Sequence, residues 1–123
     1  MAHILLIEDD QQVRQLVRMI LEDSGHSVVE AGDGLDGVVR FREEQPDLVI
    51  CDIVMPKQDG IMAIQEIFRE SPFAKVICIS GGPRGKAYWL PVASRIGVMK
   101  TLRKPVSPDQ LLESVEVCLR YGE

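Results

Sequence analysis

"VICDIVMP" (residues 49–56) decides how the chain is read. Val49, Ile50 and Cys51 make an apolar, β-rich run of the kind that fills a strand covered on both faces, and the run ends on a carboxylate, Asp52, just before Met55-Pro56 stops the strand. A charge at the end of a buried strand must be satisfied by something nearby. The stretch therefore marks both a strand and a place to look for chemistry.

Working outward, the strand extends to "DLVICDIV" (47–54), and four similar runs flank it: "HILLI" (3–7), "SVVEA" (27–31), "KVICIS" (75–80) and "VMKTLR" (98–103). Helical periodicity fills the gaps. Val13, Leu16, Val17, Ile20 and Leu21 share one face of a first helix, with Arg14, Arg18 and Glu22 on others. A second helix is expected over 34–44 on Leu35, Val38, Val39 and Phe41, and a third over 59–70 on Ile61, Ile64, Ile67 and Phe68. The last begins at "SPDQ", where Ser107 can cap and Pro108 fits the first helical position, and it continues through Leu111, Leu112, Val115 and Leu119. The segment "GGPRGKAYWLPVASRIG" (81–97) carries Pro91 inside the expected fourth helix and Gly82, Pro83 and Gly85 before it, so a late, short or kinked helix is expected there. Strands alternating with helices predict an α/β fold: a doubly wound five-stranded parallel sheet with helices on both faces, in one domain over residues 1–123.

Composition narrows the function. The chain is 46% hydrophobic and 27% charged, with a net charge of -5, as in a globular protein; the acidic balance argues against nonspecific nucleic-acid binding. No apolar run approaches the roughly 20 residues of a membrane span, and "MAHILLIEDD" lacks the flanks of a signal peptide, so a cytoplasmic protein is expected. Cys51, Cys78 and Cys118 are odd in number and lie in apolar runs, which predicts buried reduced thiols and not a disulfide or zinc framework. His3 and His26 are assigned no chemistry.

In an open parallel α/β sheet, ligands bind beyond the carboxyl ends of the strands. Glu8, Asp9 and Asp10 follow the first strand, Asp52 ends the third, Ser80 ends the fourth and Lys104 follows the fifth, so all point to one edge. If the first and third strands are neighbours, Glu8 or Asp9 approaches Asp52, and two such charges about 4 Å apart repel by roughly 4 kcal/mol at an effective dielectric near 20. A hard cation held by one or two carboxylates and several waters suits Mg²⁺, which leaves positions for phosphate oxygens. Lys104 adds a second positive charge and Ser80 a hydroxyl donor. Together they form a site for a phosphoryl group carried on a carboxylate. Asp52 alone would read as a turn or cap residue; it is the combination that points to phosphoryl chemistry.

From "HILLIEDD" through "VICDIVMPKQDG" and "KVICISGG" to "RKPVSPDQLLESV", the chain resembles the receiver domains of two-component response regulators. The resemblance implies the flavodoxin-like strand order 2-1-3-4-5. It also implies that Asp52 is the phosphoacceptor for a sensor histidine kinase or phosphotransfer protein, that Asp9 and Asp52 bind Mg²⁺ directly with the Val54 carbonyl, and that Glu8 acts through water. Asp10 is then the helix cap. Ser80 matches the switch hydroxyl, Lys104 the lysine that pairs with the phosphoryl group, and Lys104-Pro105 the family's cis peptide. The expected protein is a stand-alone phosphoacceptor, not an enzyme in its own right although it assists its own phosphotransfer and dephosphorylation. Its unknown output partner would meet the face of the fourth helix and fifth strand, where Arg84, Lys86, Tyr88, Trp89, Arg95, Lys100 and Arg103 concentrate.

Two features depart from the family pattern. Glu8 replaces a more frequent Asp, and Thr101 stands where many receivers carry Tyr or Phe. Three alternatives compete. A receiver-like interaction module that no longer uses phosphorylation would share the fold. A haloacid-dehalogenase-type phosphatase also uses an Asp nucleophile with Mg²⁺ but carries an acid two residues later, where this chain has Val54. A flavodoxin-like flavin binder would need a phosphate loop after the first strand, and none is seen there; the Gly-rich "SGGPRG" (80–85) elsewhere in the chain has neither the Walker nor the dinucleotide spacing.

Overall fold

The structure, a computed structural model, describes residues 1–53, 59–80 and 95–121. Five parallel strands, β1 (His3–Ile7), β2 (Ser27–Ala31), β3 (Leu48–Asp52), β4 (Val76–Ser80) and β5 (Lys100–Arg103), lie in the order β2-β1-β3-β4-β5. The intervening helices are α1 (Gln11–Asp23), α2 (Gly34–Glu44) and α3 (Asp59–Glu70), and α4 (Pro108–Arg120) closes the described chain.

Strand periodicity divides the interior in two. Ile4, Leu6, Leu48, Ile50, Ile77 and Ile79 face one side, against Val17 and Leu21 of α1 and Leu111, Val115 and Cys118 of α4. Leu5, Ile7, Val49, Cys51, Val76 and Cys78 face the other, against Ile61, Ile64 and Ile67 of α3 and Phe41 of α2. The central strands β3 and β4 are buried at every position, whereas edge strand β5 is not. That is the pattern expected of strands covered on both faces.

Local chemistry sets the helix ends. Asp10 caps α1, its Oδ1 accepting from the Gln12 and Val13 amides at 2.9 and 3.2 Å. Asp33 caps α2 and Ser107 caps α4, with Pro108 entering its first turn. After α1 the chain turns through Gly25 at φ 94°, a backbone that glycine adopts without cost.

Three side chains expected in the interior are not there. Leu16, Leu35 and Val39 are 56%, 79% and 40% exposed. Each helix offers the sheet a single stripe, filled in α1 by Val17 and Leu21 and in α2 by Val38 with Phe41; apolar residues one position to the side face outward. The expectations for residues 81–94 of the fourth-helix segment, the Met55-Pro56 turn, Val54, Arg84, Lys86, Tyr88 and Trp89 lie outside the described residues. Among the described residues, no helix is long and apolar enough to cross a membrane.

Candidate functional site

Parallel strands bring their carboxyl ends to one edge of the sheet, and the acids collect there. Glu8 continues β1 by one step: its amide donates to the Ala31 carbonyl at 3.0 Å. Its side chain is only 2% exposed and receives the Asp10 amide on Oε2 at 3.2 Å. Asp52, 4% exposed, ends the adjacent β3, where Ile53 bonds back to the Ile79 carbonyl at 3.0 Å. Ser80, 2% exposed, ends β4, and its carbonyl accepts the Lys104 amide at 2.8 Å. Lys104 follows β5 and precedes a cis bond to Pro105.

The Lys104 ammonium bridges the two buried acids, 2.8 Å from Glu8 Oε1 and 3.0 Å from Asp52 Oδ2. Asp9 is exposed, and one carboxylate oxygen from each of Glu8, Asp9 and Asp52 lies within 4.8 Å of the others. Three carboxylates thus gather where Lys104 bridges two of them, an arrangement that leaves negative charge to be neutralised. Burial, together with the charge of Asp52, pushes the Glu8 carboxyl up to about 7 against the pull of Lys104. Burial would lower the Lys104 ammonium, but the hydrogen bond to Glu8 and the charges of Asp52 and Glu8 outweigh it and hold the group above its ordinary value. The oxygen-only donor set, open to solvent through Asp9, fits a hard divalent cation such as Mg²⁺.

Packing leaves no slack behind Asp52. A Cβ on Gly60, in the first turn of α3, would lie 2.3 Å from the Asp52 carbonyl oxygen and 2.6 Å from the Ile53 Cα, so only glycine lets α3 start this close to β3. Cys51 points away from the acids, into the core shared with α3, and burial pushes its thiol well above the ordinary range. All three cysteines are free and buried. The histidines are engaged elsewhere: His3 contacts Ser27 Oγ and Glu44, and His26 Nδ1 accepts the Ala2 amide.

The structure therefore brings Glu8, Asp9, Asp52 and Lys104 into one cluster, with Ser80 at the end of the neighbouring strand. Thr101 is half-buried on β5, opposite Cys78. The sequence gives no warning of Arg14. It falls with Arg18 and Glu22 off the core-facing stripe of α1, yet its Nη1 donates to the Glu8 carbonyl at 2.8 Å and its Nε to Glu30 Oε1 at 2.8 Å. Charge spacing along one helix cannot reveal a partner on a distant strand.

Comparison with known proteins agrees with this geometry. A family model described as "Response regulator receiver domain" matches residues 4–116. The chemotaxis protein CheY of Listeria monocytogenes is 36% identical over 118 residues, covering 94% of this chain and 97% of its own length. The chemotaxis protein CheY of Bacillus subtilis is 36% identical over 121 residues, covering 97% and 99%. The crystal structure of a response regulator receiver domain protein from Clostridium thermocellum superposes with a TM-score of 0.90 at 30% identity, covering 97% of this chain and 94% of that one.

Proposed function

The chain belongs to the response regulator receiver family, and from that membership we propose that it accepts a phosphoryl group on Asp52 in a Mg²⁺-dependent reaction and signals by changing a partner-binding surface. The observation that carries this reading is the buried Asp52 carboxylate, 3.0 Å from Lys104 and grouped with Glu8 and Asp9 at the sheet edge.

In this reading an Asp52 carboxylate oxygen attacks the phosphorus of a phosphohistidine on a sensor kinase or phosphotransfer protein. An O–P bond forms, the P–N bond breaks and the imidazole leaves. Asp9 and Asp52 would hold Mg²⁺ directly and Glu8 through water, and the ion when bound neutralises charge developing on the phosphoryl oxygens. Lys104 supplies a second, mobile positive charge already within reach of Asp52, and Ser80 offers a hydroxyl to the transferred group. Burial of Glu8 and Asp52 keeps bulk water from screening these charges. The protein acts as a phosphoacceptor that assists its own phosphotransfer, not as an enzyme with turnover on a small substrate. The output partner would meet the β5 side of the molecule. Free, buried cysteines suit the reducing cytoplasm in which such donors operate.

Intact mass after incubation with acetyl phosphate, with and without Mg²⁺, in wild type and Asp52→Asn, tests the proposal. The expected result is one phosphoryl group gained by the wild type only with Mg²⁺, and none by the variant. A folded wild type that gains nothing, beside a receiver that does, would favour a module that binds partners without phosphorylation.

A further inference from the structure

Arg14 stands outside the acid cluster and touches it only through the backbone. Its guanidinium spans two strands: Nη1 donates to the Glu8 carbonyl at the end of β1, and Nε donates to Glu30 on β2. Glu30 is held from a second side by Arg18, whose Nη1 also donates to it, and Arg18 in turn bonds Glu22 at 3.0 Å. An ordinary surface ion-pair ladder accounts for Arg18, Glu22 and the Nε contact of Arg14. It does not account for the bond to Glu8.

That bond falls at a sensitive place. The Glu8 amide is already tied to the Ala31 carbonyl, so Arg14 closes the second backbone bond of the same residue. Ala31 holds the peptide before Glu8 and Arg14 holds the carbonyl of the peptide after it, so the backbone is tied on both sides of Glu8, and the direction of that carbonyl sets where the Asp9 side chain begins. The surroundings leave room for this contact. A Cβ on Gly32 would lie 3.4 Å from Arg14 Nη1, ordinary van der Waals contact, so the guanidinium lies against the turn after β2.

Resting on the phosphoacceptor reading, we infer that Arg14 is a positioning residue for the cation site: buttressed by Glu30, it fixes the Glu8–Asp9 peptide so that the two carboxylates converge with Asp52 before the cation arrives. The bond is the backbone counterpart of an outer-shell hydrogen bond that orients a metal ligand. Preorganisation of this kind lowers the ordering cost of binding, so its loss weakens affinity more than it changes the chemistry after binding.

The test is calorimetric titration with Mg²⁺ of wild type, Arg14→Gln, Arg14→Lys and Arg18→Gln, with acetyl phosphate labelling and thermal unfolding measured in parallel. Arg14→Gln is expected to weaken Mg²⁺ binding about tenfold, the lower end of the effect of losing an outer-shell partner, while Arg18→Gln stays within about twofold of wild type. Arg14→Lys, which can reach only one of the two acceptors, should fall between. At saturating Mg²⁺ the labelling rate of Arg14→Gln should return close to that of wild type. Unchanged affinity in Arg14→Gln, or an equal loss in Arg14→Gln and Arg18→Gln, overturns the assignment while leaving the phosphoacceptor reading intact. A wild type that binds no Mg²⁺ overturns that reading itself. If Arg14→Gln does not fold, Arg14→Lys decides: severalfold weakening supports the assignment and wild-type affinity overturns it.

Discussion

Glu8 carries the sharpest consequence at the scale of single residues. It is buried beside a second carboxylate, and Lys104 only partly offsets that cost, so its carboxyl titrates at about 7, well above its ordinary 4.5. Between those two values the folded protein keeps a proton that the unfolded chain has lost. The stability contributed by this group in the metal-free protein is therefore fully present below pH 4.5 and is lost as the pH rises through 7. A cation reverses the preference, because it needs the carboxylate. Mg²⁺ affinity should then fall by roughly tenfold from pH 8 to pH 6, with about half a proton released per ion bound at pH 7 and close to one at pH 6. Titration calorimetry in two buffers of different ionisation enthalpy measures both quantities. A pH-independent affinity over that range would contradict the assignment of the proton to this site, and Glu8→Gln should remove most of the dependence.

The scale of elements shows how far the residue pattern reaches. All four described helices fall where periodicity and caps put them: Asp10, the last of three successive acids, serves as the N-cap of α1, and Ser107-Pro108 opens α4. Strand ends were legible to within about two residues, because buried strands leave β-branched runs and their termini carry charge. Glu8 and Asp52 could be found for the same reason, since each breaks an apolar run, and Lys104 because it stands between the fifth strand and Pro105. What could not be read is lateral. Periodicity places Leu16, Leu35 and Val39 on the apolar side of their helices but does not say how wide a stripe the sheet covers. Arg14's bond to Glu30 depends on β2 lying beside β1, which local sequence does not encode. Nor did the pattern signal Gln45, which ends α2 in the left-handed region at φ 46°. A side chain there costs roughly 1 kcal/mol relative to glycine, so Gln45→Gly should stabilise the protein by up to about that amount, less the extra entropy of an unfolded glycine. Urea unfolding with an unchanged m-value is the check, and a clear loss of stability would show that the Gln45 side chain has a role its backbone does not explain.

The whole molecule sets a stable two-sided core against a strained edge. Both faces of β1, β3 and β4 are packed by side chains with essentially no exposure, while the end of the same strands gathers three carboxylates, two of them bridged by Lys104. The fold therefore supports a cluster that would repel itself if it stood alone, and a ligand that relieves the repulsion must stabilise the fold by mass action. At Mg²⁺ a hundredfold above its dissociation constant, the gain is about 2.7 kcal/mol. For a chain of this length that corresponds to a rise in Tm on the order of 10 °C. Circular dichroism melts with and without MgCl₂, against NaCl at matched ionic strength, separate binding from general screening, because screening acts on every exposed pair and a site-bound ion acts only here. Asp9→Asn makes the attribution specific: Asp9 is exposed and removed from the core, so its loss should leave the metal-free melt unchanged or slightly raised by the lost repulsion, and abolish most of the Mg²⁺-dependent rise. A rise of equal size in NaCl, or in Asp9→Asn, would mean that the stabilisation comes from surface screening and not from an ion held among Glu8, Asp9 and Asp52.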